Sequence, residues 1–299
     1  MRHALMGVLF AAAWYAASSP VLAQREFQFF AHFSDNAGRA VTTLTGADIQ
    51  VSEDDANGKL LKFEPVDWPV RVAILLDNGI GSADRIVNVR QGAKGLIQAL
   101  PAGVEVSLQT LAPQPRWLVR PTTDRPALLE GVDRYTPDSS ASRFVDGLIE
   151  TAARFDKEKG NNFPVVVILG SLTADGSAIR DRDVKQLFER LAARAITVHA
   201  ILAGASTVST GNAVANVSQI ALGATKQTGG RYESIAASTR LATLLPEIGV
   251  QIAQSHARQS AQYRVTFERP TGRTGQLGKI GLTARGGVNV KLTLDGRLP

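Results

Sequence analysis

Residues Val70–Ser82, VRVAILLDNGIGS, read as a buried strand that ends in an aspartate and runs straight into a glycine-rich turn. Val70, Val72, Ala73, Ile74, Leu75 and Leu76 make an almost unbroken apolar run. That pattern is expected at the centre of a parallel sheet covered on both faces. Asp77 then falls at the carboxyl end of the strand, where open α/β sheets place their ligand sites.

Outward from this stretch, strands and helices alternate as far as about Tyr232. Residues 85–99 carry Ile86, Val89, Ala93, Leu96 and Ile97 on one helical stripe, and Pro101-Ala102-Gly103 ends it. Strands are predicted over 104–111 (continued by Trp117, Leu118 and Val119), 163–169 and 196–202, and helices over 125–135, 142–155, 179–194 and 213–228. Gly229-Gly230 closes the last of these helices. Such alternation implies βαβ units, hence an α/β fold with a doubly wound, mostly parallel sheet.

The flanks differ. Residues 27–63 hold short strand-like pieces, with a turn predicted at 55–58 between strands over 49–53 and 59–63. Residues 277–284 and 288–294 alternate polar and apolar around Gly286-Gly287. They predict an antiparallel hairpin burying Ile280, Leu282, Val288, Val290, Leu292 and Leu294. A helix over 239–257 is expected to break or restart at Pro246. The two flanks are expected to pair as a small antiparallel β domain. The expected division is a signal peptide at 1–23, an N-terminal β segment at 24–66, the sheet-and-helix domain at 67–236, and at 237–299 a helix and β-hairpin packing on the N-terminal segment.

Residues 1–23 have the organisation of an export signal: a basic start at Arg2 and His3, an apolar stretch, Ser18-Ser19-Pro20, and small residues at Val21 and Ala23 before Gln24. The apolar part is shorter than the ~20 residues of a comfortable membrane span. The expectation is therefore a periplasmic or secreted protein with no transmembrane segment after cleavage; an uncleaved, envelope-anchored scaffold is the other form these residues allow. With no cysteine, and both methionines inside the signal, the mature chain has no sulfur ligand for zinc, iron–sulfur or blue-copper sites. Losing Arg2 lowers the formal charge from +6 to +5, and the basic residues are dispersed rather than clustered. Nucleic-acid binding wants a clustered basic face, so no nucleic-acid partner is expected.

Several phrases in order resemble bacterial exported proteins with a von Willebrand factor type A-related domain. They are Asp48-Ile49-Gln50-Val51-Ser52-Glu53-Asp54, then VRVAILLDNGIGS, then Thr228-Gly229-Gly230-Arg231-Tyr232, and last 262–270, QYRVTFERP. The resemblance covers nearly the whole mature chain. It implies a divalent ion held by an Asp-x-Ser-x-Ser loop, a threonine on a second loop and an aspartate after the fourth strand of the sheet. In such a site neutral hydroxyls touch the ion and carboxylates act largely through water. The ion thereby keeps an open position for a carboxylate of the partner.

This chain keeps part of that set. Asp77 matches the leading aspartate, but Gly79 and Gly81 stand at the two serine positions, with Ser82 one residue further on. Ser142, four residues before Asp146 in SRFVDGL, matches the threonine. The family's third-loop Thr/Ser-Asp-Gly reads Gly170-Ser171-Leu172, and Asp175-Gly176 comes a few residues late. Asp77, Ser82 and Ser142 are the candidate metal ligands. Magnesium held by so few would keep most of its water shell, so no functional metal and no cofactor are expected. Asp77 then has a structural role open to it, accepting backbone hydrogen bonds in the turn.

Other chemistry finds little support. NGIGSAD lacks the third glycine of a dinucleotide fingerprint, and neither a Walker-type G-K-[ST] nor a G-x-S-x-G elbow occurs. His199, inside TVHAIL, reads as a satisfied core residue, and His32 and His256 are remote from it in sequence. The expected function is a non-enzymatic, protein-binding or scaffolding module. Its partner-binding rim would comprise Asp77, Asn78, Gly79, Ser82, Ser140, Ser142, Ser171 and Asp175. The alternative is a periplasmic α/β enzyme or small-ligand binder using the same crevice.

Overall fold

A computed structural model describes residues 26–172, 175–204, 212–273, 276–294 and 296. The expected signal segment lies outside them. In chain order the N-terminal flank supplies β1 (Glu26–Ser34), β2 (Ile49–Glu53), β3 (Ala56–Asn57) and β4 (Lys59–Pro65). Next come β5 (Val70–Leu76), α1 (Ile86–Ala99), β6 (Glu105–Thr110), β7 (Arg116–Thr122), α2 (Arg125–Asp133) and α3 (Phe144–Lys157). They are followed by β8 (Phe163–Ser171), α4 (Asp181–Ala193), β9 (Thr197–Ala203), α5 (Asn212–Thr228), β10 (Tyr232–Ile235) and α6 (Leu241–Gln259). The C-terminal flank is β11 (Gln262–Glu268), β12 (Ile280–Ala284) and β13 (Asn289–Thr293).

The apolar run that opens the sequence is the centre of a six-stranded sheet, order β10-β9-β8-β5-β6-β7, with β7 antiparallel at one edge and the rest parallel. Successive side chains of a strand point to opposite faces. Val70, Val72, Ile74 and Leu76 accordingly meet Val89 and Leu96 of α1, Leu128 of α2 and Leu245 of α6 in one core. Ala73 and Leu75 meet Phe144 and Leu148 of α3, Leu187 of α4 and Val217 of α5 in the other. Burying each large apolar side chain contributes about 1.5–3 kcal/mol relative to exposing it. β5 lies between β6 and β8, and the connections from its end and from β8 part to opposite faces. This switch point leaves a crevice beyond Leu76.

α6 runs unbroken through Pro246, where an interruption was expected. A proline inside a helix costs roughly 3 kcal/mol. Packing offsets it: Leu241, Leu244, Leu245, Ile248 and Ile252 of α6 are all buried. The ring itself presses on α1 at Gly95, where a Cβ would come within 2.5 Å of Pro246 Cγ.

The flanks pair with each other, in two sheets of order β13-β1-β11-β4 and β12-β2-β3. Between the sheets lies an aromatic core, with Phe33 against Tyr263 (5.7 Å) and Tyr263 stacked on Phe63 (4.2 Å). Two expected hairpins are different pairings. The first turn is Asp54-Asp55, both left-handed (φ 46° and 64°), joining β2 to β3. β4 crosses to the other sheet and pairs with β11. Paired left-handed residues are what a tight two-residue hairpin requires, so the turn forms there rather than over 55–58. At the other end Gly286 (φ 88°) and Gly287 (φ 65°) carry the chain from one sheet to the other. β12 therefore pairs with β2 and β13 with β1. As a result Leu292 and Leu294 are exposed rather than buried.

A buried ion pair fastens the flanks. Glu53 has no exposed surface and accepts from Arg269 Nε (2.8 Å), a second Arg269 donor and the Gly278 amide (2.8 Å). Trp68 joins this unit to the central sheet, edge-on to Phe30 (5.3 Å) and against Phe163 (5.4 Å). No described helix is long and apolar enough to cross a membrane.

Candidate functional site

Beyond β5 the chain turns on hydrogen bonds made by its own side chains. Asp77 is buried; its Oδ1 accepts the Gly79 amide (2.8 Å) and its carbonyl accepts the Tyr135 hydroxyl (2.6 Å). Asn78 is wholly committed within the fold. Its Oδ1 accepts from Leu111 (3.1 Å) and Ala112 (2.9 Å), and its Nδ2 donates to the Thr136 carbonyl (3.2 Å). This residue faces inward and braces three loops together, so a partner would not reach its amide. Ser82 is also fully buried; its Oγ meets no partner at hydrogen-bonding geometry and sits beside the Tyr135 hydroxyl.

Gly79 decides the character of the site. A Cβ there would lie 2.7 Å from the Ser142 amide nitrogen and 2.9 Å from the Ser140 carbonyl oxygen. The Ile80 amide donates to that same carbonyl at 2.9 Å. The backbone of 140–142 thus occupies the space in which a side chain at 79 would stand. Gly81 has φ 81°, a left-handed conformation that disfavours serine.

The second and third loops meet each other. Ser142 and Asp175 form an isolated parallel bridge, and the Gly176 amide donates to the Ser142 carbonyl (2.6 Å). The late Asp175 is therefore folded back beside Ser142. Its Oδ1 accepts the amide of Phe144, the first residue of α3, at 2.7 Å, capping that helix from a distant segment. Asp175 Oδ2 and Ser142 Oγ are buried without hydrogen-bond partners among the described residues. Burial, reinforced by the charge of Asp146, pushes the Asp175 carboxyl above its usual range. Ser171 ends β8, and Ser140 is partly exposed, its amide held by Asp138 (2.8 Å). Residues 173–174, inside the expected third-loop stretch, lie outside the described residues.

Two further residues belong to this end of the sheet and were not among the expected site residues. Tyr135 lies under Asp77, and its hydroxyl is held well above the usual tyrosine range by burial and then by the Asp77 charge. Arg85 reaches across from the start of α1 to donate to the Ala203 carbonyl at the end of β9. A tyrosine after a predicted helix and an arginine at the start of another carry no local signal of this convergence.

The site offers few of the donors that a divalent ion of the type A kind would use. Asp77 Oδ1 and Asp175 Oδ1 already accept backbone amides, Ser142 Oγ is the one unbonded hydroxyl matching a family ligand position, and the first-loop serine position has no space. Among the described residues no three His, Asp or Glu side chains cluster to hold a metal.

No family model matches the chain, and no curated protein matches it in sequence. Among solved structures it is similar to a von Willebrand factor type A protein from Catenulispora acidiphila, with a TM-score of 0.51 and 13% identity over 82% of this chain and 70% of that one. The fold is von Willebrand factor type A-like. BatB from Bacteroides thetaiotaomicron aligns with 62% of the type A-like chain and 100% of its own, at a TM-score of 0.49 and 14% identity. The SpRpn10 VWA domain aligns with 61% of the chain and 97% of its own, at a TM-score of 0.47 and 13% identity.

Proposed function

We propose that the chain is an exported, non-enzymatic protein-binding module whose rim, at the carboxyl ends of the parallel strands, grips its partner without a divalent ion. The observation that carries this reading is the closure of Gly79 by the 140–142 backbone, which leaves hydrogen-bonded loops in place of a first-loop metal ligand. On the first loop Ile80 is 56% exposed, and Ser139 on the second is exposed as well. An exposed apolar side chain on the first loop is what the proposed partner would cover. The sequence features of residues 1–23 support export, with cleavage after Ala23.

The test is crosslinking and recovery of partners from the cell envelope, with wild type and Ile80→Arg, each with and without EDTA. The expected result is that EDTA leaves the recovered partner unchanged and Ile80→Arg loses it. Loss of the partner in EDTA alone, or the same recovery by both proteins, would overturn the proposal.

A further inference from the structure

A cavity of about 420 Å³ opens at the opposite end of the sheet from the rim. Val70 begins β5 and Thr197 begins β9, so their place in its lining puts it at the strands' amino ends, between the last turns of α5 and α6. Val70, Val165 and Ile252 give it an apolar wall. Lys226 and Arg258 stand exposed in the same lining, and no carboxylate lines it among the described residues. Lys226 makes no ion pair among those residues, and among them the Arg258 guanidinium bonds only Ser255 Oγ (3.2 Å).

His199 supplies an independent pointer to a ligand. The ring lines the cavity with 3% of the residue exposed. Its Nδ1 accepts the Arg231 amide at 3.1 Å. A nitrogen that accepts cannot carry the ring proton, so a neutral imidazole must carry it on Nε2. Burial, and then the charge of Arg231, bring its pKa down to about 4, so the ring is neutral at physiological pH. No described residue hydrogen-bonds Nε2, and the ring lines the cavity, which leaves Nε2–H open to a ligand or to water.

The charges decide what would satisfy it. The last turns of α5 and α6 each present about half a negative charge. Lys226 and Arg258 answer those dipoles, but two full cations exceed two half charges, and the mouth keeps a positive surplus. We infer that this cavity binds a small organic acid, an apolar body bearing one carboxylate. The body lies against Val70, Val165 and Ile252, and the carboxylate is held by Lys226, Arg258 and the His199 Nε2–H. This site is independent of the rim and of what the rim binds.

Benzoate and neutral benzyl alcohol are the probes, titrated into histidine-labelled mature protein and followed by NMR of the His199 ring. The free protein should show the Nε2–H tautomer. Benzoate should shift its signals saturably at millimolar concentration, and benzyl alcohol should bind about tenfold more weakly or worse. The exposed pair Lys226→Glu and Arg258→Glu, made together, should weaken benzoate by a similar factor, while Ile80→Arg leaves it unchanged. An Nδ1–H tautomer, no benzoate shift, equal response to both probes, or full affinity in the charge-reversed variant would each overturn the inference.

Discussion

At position 79 a single missing side chain sets the geometry of the rim. Two backbone atoms of the neighbouring loop lie where a Cβ would stand, and one of them, the Ser140 carbonyl, also accepts the Ile80 amide. Backbone cannot swing aside as a flexible side chain can, so overpacking here should cost in the usual range. Gly79→Ser is expected to destabilise the protein by about 1–3 kcal/mol in urea titration, without creating a magnesium site. A variant as stable as wild type would mean that the 140–142 loop yields freely. Asp77 and Ser142 are legible in the sequence because they follow or precede strongly patterned segments. Asp175 is legible as a rim residue, but its bridge to Ser142 is not, because only the folded third loop brings the two together. The chain separation of Gly79 from Ser140 likewise hides the contact that fills the first loop.

Among the elements, those buried on both faces declare themselves, and those on the flanks declare their strands but not their pairing. β5 and β8 carry apolar runs that no exposed strand would carry, and the amphipathic stripe of α1 is unambiguous. In the flanks, Gly286-Gly287 announces a reversal but not which strand each arm will join. Pairing is decided far away, by β1 and β2. The Glu53–Arg269 pair, 216 residues apart in sequence, holds that arrangement. Arg269, with the Gly278 amide in support, holds the Glu53 carboxyl below its usual range. A folded pKa below the unfolded one gives stability that is present above the unfolded value and lost as pH falls through the folded one. Arg269→Met should strand a buried carboxylate and lower the melting temperature at neutral pH, and the loss should shrink in acid. The double variant Glu53→Met/Arg269→Met should recover most of it, since apolar replacement of both partners removes the desolvation cost. Melting curves in which the double variant is no better than the single one would show that the charge pair itself is needed.

Taken whole, the molecule is a type A-like sheet with helices on both faces and a paired β unit made from its two chain ends. The rim stands at the carboxyl ends of the strands and the His199 cavity at the amino ends. They share the sheet but no lining residue, so a variant at one end should leave the other's binding intact. At the rim the backbone of 140–142 fills the space of a side chain at Gly79, and the proposal is that a partner is gripped there without a divalent ion. Calorimetric titration of the protein with magnesium tests that proposal most directly. Metal-independent binding predicts no saturable heat at millimolar ion, in wild type and in Asp77→Ala alike. A saturable isotherm in wild type that disappears in Asp77→Ala would contradict it.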